Sequence, residues 1–89
     1  MKAIVTVIGK DQVGIIAGVC SVMAEKNVNV LDISQTVMQD YFTMIMMVDI
    51  TETEISFEQL AKDLDEFGKT KGLVIRIQRE DIFEAMHRI

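Results

Sequence analysis

The sequence predicts an α+β sandwich, with two helices on one face of a four-stranded antiparallel sheet. Its apolar residues switch between strand and helix spacing in the order β-α-β-β-α-β. The second and third strands, within "VLDISQTVMQDYFTMIMMVDIT", stand close enough to be joined by a tight turn near Gln39 and Asp40. The chain has 89 residues and neither a linker nor a low-complexity stretch, so one domain over 1–89 is expected. Split βαβ units in this order give the ferredoxin-like arrangement, here with a core over 2–79 and a short C-terminal helix over 80–89.

Each element has its own signal. Residues 2–8, "KAIVTVI", are β-branched and apolar on both faces, which suits a central strand. From Gly14 to Lys26 the spacing of Ile15, Ile16, Val19, Val22 and Met23 is helical, and Asn27 suits a left-handed exit. In the hairpin, Leu31, Ile33 and Val37 alternate, as do Phe42, Met44, Met46, Val48 and Ile50. The second helix opens on a capping-box pattern, Ser56 with Gln59, flanked by Ile55 and Leu60 at staple positions. Phe57, Leu60, Ala61, Leu64 and Phe67 form its apolar face. Lys69 and Lys71 suit its C-terminal end, which falls at Gly72 or, earlier, at Gly68. "LVIRIQ" is the fourth strand, and Asp81 with Glu84 would open the terminal helix that carries Ile82, Phe83 and Met86.

Composition excludes several functions. A net charge of −5 lacks the basic face that nucleic-acid binding needs. The apolar run "VGIIAGVCSVMA" is too short to cross a membrane, and Lys10 and Asp11 interrupt the N-terminal run too soon for a signal peptide. A cytoplasmic protein is expected. The single Cys20 allows no internal disulfide and no CxxC site, and reads as a small buried residue. One sheet face should be polar if helices cover only the other, yet "IVTVI" and "MIMMV" load both. That surplus predicts a partner, in the simplest case a second copy of the chain.

The informative stretch is "GKDQVGIIAG", where the first strand hands over to the first helix. A helix N-terminus offers unpaired N–H groups and partial positive charge, which suits a carboxylate. Gly14 leaves its backbone uncovered, and Asp11 is placed to receive an ammonium group. Together they match the two ends of an amino acid. The simpler reading is that Asp11 caps the helix while Gly14 lets it pack. If Gly14 has ordinary helical dihedrals, Gly14→Val should block a ligand without unfolding the chain.

The stretch "DQVGIIAGV", followed by "AEKNVNVLDISQ", resembles the signature of the ACT domain, a small ligand-binding regulatory module. The resemblance covers residues 2–79. Asp11, Gly14, Ile15, Ile16 and Ala17 occupy the places of the family's turn motif, with Val13 where Pro is frequent. Asn29, opening the second strand, matches the family's other frequent ligand contact. The chain is most similar to short stand-alone members, and more distantly to the ACT pair of glycine-cleavage repressors. The resemblance implies side-by-side pairing, with an amino acid held between the first turn and the neighbour's second strand. The candidate ligand-binding residues are therefore Asp11, Gln12, Val13, Gly14, Ile15 and Asn29.

Other chemistries find little support. Glu84 and His87 share an i, i+3 spacing used in di-iron bundles, but no second pair accompanies them. His87 is the only histidine, which leaves no convincing catalytic constellation. Acylphosphatase-like chemistry wants an Arg in the first turn, metallochaperones want paired Cys, and RNA recognition wants more stacking aromatics than Tyr41 and Phe42. Met44 and Met46 share one strand face and read as core rather than as copper ligands. The expectation is a non-enzymatic, cofactor-free amino-acid-binding module, a homodimer or higher oligomer that acts on a regulated protein partner. The alternative is a purely structural dimerisation module with an empty turn.

Overall fold

The computed structural model describes residues 1–81. The expected terminal helix falls mainly on residues 82–89, outside the described residues. The elements run β1 (Lys2–Lys10), α1 (Ile15–Glu25), β2 (Asn29–Met38), β3 (Tyr41–Asp49), α2 (Phe57–Lys71) and β4 (Leu73–Arg79). The sheet is antiparallel throughout in the order β2-β3-β1-β4, so β1 is central as its two-faced apolar sequence requires. β1 runs two residues beyond its apolar stretch, because Gly9 and Lys10 still pair with Phe42 and Tyr41.

Register sorts the strand residues into two faces. Ala3, Val5 and Val7 stand beside Val48, Met46 and Met44, and Val7 stands beside Ile75; all are buried. Val19 and Met23 of α1, with Leu60 and Leu64 of α2, pack onto that layer at zero exposure. Met44 and Met46 are fully enclosed, so they are core. Burying a side chain of this size stabilises a fold by about 1.5–3 kcal/mol. The opposite face leaves Ile8, Ile45 and Val74 about half exposed. On the edge strand β2, Ile33 and Val37 point toward the helix side but remain 38% and 53% exposed, so the helices do not cover that edge. A bulge at Leu31 shifts the β2 register between Val30 and Asp32.

Local chemistry closes the helices. At the end of α1, the Val28 N–H donates to Met23 O at 2.9 Å and the Asn27 N–H to Ala24 O at 3.1 Å, with Asn27 at φ 57. This is a Schellman motif with an asparagine in the left-handed position, and buried Val28 and Met23 supply its apolar contact. At α2 the Ser56 hydroxyl accepts from Gln59 N–H at 3.1 Å. The Gln59 side chain does not reach back to complete the box; it donates to Asp63 at 2.8 Å instead. Gly72, at φ 70, ends α2. Gly68 stays inside the helix, where a Cβ would stand 2.7 Å from the carbonyl oxygen of Leu73. The helices lie antiparallel: Gly18 faces Phe67, and Lys26 pairs with Asp63 at 3.2 Å.

Candidate functional site

The first turn, residues 11–14, lies at the end of the sheet where β1, the β2–β3 turn and the C-terminus of α2 converge. Two hydrogen bonds hold it. The Asp11 N–H donates to Asp40 O at 2.8 Å, and the Gln12 side-chain amide donates to Lys71 O at 2.9 Å. Gly14 is the N-cap of α1 at φ 88, ψ 8, in the left-handed region that favours glycine. The first bond of the helix runs from Gly18 N–H to Gly14 O at 2.9 Å.

Asp11 does not cap α1. The cap position falls three residues later, and no side chain among the described residues bonds to it. Gly14 is not there for packing either, because a Cβ on it would meet nothing within 4 Å. The first-turn N–H groups of α1 are therefore left without a cap, and α1 carries no acidic residue in its first turn to offset their partial positive charge.

Three hollows flank the turn. The one toward α2 is small, about 50 Å³, and is lined by Gln12, Val13, Gly14, Ile15, Phe67, Lys71 and Leu73. A more open one, about 270 Å³, lies between the start of α1 and Phe42. The third, about 320 Å³, is polar, with Lys10, Asp11, Gln39 and Asp40 around it. Asp11 thus faces a different hollow from the uncapped amides. Gln39 is held at φ 56, which is unusual for a glutamine.

The structure brings Asp11, Gln12, Val13, Gly14 and Ile15 together. Val13 is fully exposed, while the Ile15 side chain is buried, leaving only its backbone for a ligand. Asn29 pairs with Asp49 at the opposite end of the sheet. Nine residue steps along β2 separate that end from Met38, roughly 30 Å. Within one chain, Asn29 therefore stands far from the turn. Phe42, Phe67, Lys71 and Asp40 border the turn without any signal in their own sequence neighbourhoods. Only the hairpin register could have suggested Asp40.

A family model described as the ACT domain matches residues 2–78. A UPF0237 protein of Clostridium acetobutylicum is 58% identical over 89 residues, covering 100% of both chains. The solved structure of an ACT domain protein from Streptococcus pneumoniae has a TM-score of 0.84 and 48% identity, over 97% of each chain. A putative glycine cleavage system transcriptional repressor, at 19% identity and a TM-score of 0.77, shares the fold over 88% of this chain and 44% of its own.

Proposed function

Because the chain belongs to the ACT domain family, we propose that it is a non-catalytic regulatory module that binds an amino acid at the first turn. The observation that carries this reading is the start of α1: uncapped amides, a left-handed glycine without a Cβ, and open space beside both. The ligand carboxylate meets N–H groups near Val13, Gly14 and Ile15. Its ammonium meets the side-chain carbonyl of Asn29 from a second copy, or Asp11 once that exposed side chain swings out of the polar hollow toward the amides.

The edge strand supports the second-copy arrangement. β2 lies at a sheet edge and exposes Leu31, Ile33 and Val37, the kind of surface another strand covers. An antiparallel pairing of two β2 strands about Ser34 sets residue 29 of one copy beside the Gln39–Asp40 turn of the other. Asp11 is tied to that turn through Asp40. The two halves of the site, far apart in one chain, thereby meet across the pair.

Calorimetry with each standard amino acid tests the reading, and light scattering gives the mass. The expected results are a species at least twice the 10.1 kDa chain and binding by at least one amino acid. Charge-assisted bonds contribute about 1.5–3 kcal/mol each, so Asp11→Ala should weaken binding roughly ten- to a hundredfold. If the wild type binds no amino acid at millimolar concentration yet remains dimeric, the chain is a structural dimerisation module instead.

A further inference from the structure

Gln12 differs from its neighbours in the first turn. Val13 is wholly exposed, and the Asp11 side chain has no bonding partner among the described residues. The Gln12 side chain is already engaged, donating across 59 positions of sequence to the carbonyl of Lys71. Lys71 is the last residue of α2, so its carbonyl is among those that helix geometry leaves without a donor. The Gly72 N–H belongs to the same peptide group and points the opposite way, back toward Gly68 O and Lys69 O, so it leaves that carbonyl without a backbone donor. Both groups in the bond therefore have reason to keep it.

The bond also fixes a direction. Gln12 and Lys71 both line the 50 Å³ hollow, so their bond spans its rim. On the other side, the Asp11 N–H is fixed to Asp40. The next main-chain anchor is Gly18 N–H to Gly14 O. Gln12 and Val13 lie between these anchors, and the glycine that follows them has the most backbone freedom. Without the Gln12 bond, nothing described holds the segment between Asp11 and Gly14.

We infer that Gln12 is a positioning residue, not a ligand contact: its bond to Lys71 presets the backbone amides of Val13–Ile15, which lead into the uncapped start of α1, for an anion. This rests on the amino-acid-binding reading above. Groups already held in their bound arrangement lose less freedom when a ligand arrives, so loosening them weakens affinity without removing any contact.

Gln12→Glu keeps the shape but replaces the donor with a carboxylate, whereas Gln12→Lys restores a donor through a different head group. Two measurements on the intact protein decide the matter. Nitrogen-15 relaxation without ligand should show the Val13 and Gly14 order parameters falling from about 0.85 toward 0.6 or below in Gln12→Glu, and recovering in Gln12→Lys. Calorimetry with each standard amino acid, titrated singly, should show about tenfold weaker binding for Gln12→Glu, with Gln12→Lys close to wild type. Unchanged order in Gln12→Glu overturns the inference. So does lost order with unchanged affinity. If the wild type binds no amino acid, the site reading fails, and relaxation alone then decides whether Gln12 positions the turn.

Discussion

Replacing Gly14 with alanine separates the conformation of the first turn from its chemistry. At φ 88, an alanine pays the left-handed cost of about 1–2 kcal/mol. It also restricts the unfolded chain, which offsets roughly 0.4–1 kcal/mol. No steric term enters, because a Cβ there meets nothing within 4 Å. The net loss is about 1 kcal/mol, or roughly 4–8 °C in melting temperature for a chain of this size. Gly14→Asn should lose less, since asparagine tolerates the left-handed region better. Gly14→Val should lose more than alanine, so it is not a clean block of ligand approach. Thermal unfolding followed by circular dichroism at fixed protein concentration measures all three. An alanine variant as stable as wild type would mean that the turn is not held at this dihedral, and the case for exposed amides would fall with it.

Three further outcomes follow from the geometry. Gly68→Ala raises helix propensity by about 1 kcal/mol, yet its Cβ would stand 2.7 Å from Leu73 O and 3.1 Å from Ile75; chemical denaturation should show a net loss of about 1–3 kcal/mol. Gln39→Gly relieves a left-handed glutamine and should raise stability by up to about 1 kcal/mol in the same assay, unless the β2–β3 turn is looser than φ 56 implies. Asp49 is held below the usual carboxylate range mainly by the Thr51 hydroxyl, and Asp63 mainly by the Gln59 amide and then by Lys26. Depressed carboxylates contribute stability that is present above the unfolded value, about 3.9, and is lost as pH falls through the folded values. The melting temperature should therefore decline below about pH 4, and Asp49→Asn with Asp63→Asn should flatten that decline.

Whether a feature was legible in the sequence depended on the range of the forces that make it. Ser56 and Gly72 mark the ends of α2 because capping acts over three or four residues, and Asn27 marks the end of α1 for the same reason. The element order and the buried layer were legible because spacing alone sorts Val5, Val7, Met44 and Met46 onto one face. Gly9 and Lys10 were not legible as strand, since pairing with Phe42 and Tyr41 decides it. Gly68 read as a second possible end because its real reason, a close approach to Leu73 of β4, has no local signal. The site was half legible: the motif located the turn, but the sequence could not show that Asp11 leaves α1 uncapped. Nor could it show that Gln12 reaches Lys71, because that contact depends on how the two helices pack.

Among the described residues β2 and β4 form the two borders of the sheet, and they differ in a way that bears on growth. The midpoint of β2 falls between Ile33 and Ser34, so a two-fold axis near it opposes only neutral side chains. The midpoint of β4 is Arg76, so the same operation there would set one guanidinium against another. Like charges directly opposed across strands are destabilising. A pair joined through β2, as proposed above, would carry Arg76 at both of its remaining borders. The sequence permits a finite eight-stranded sheet and discourages an endless ribbon.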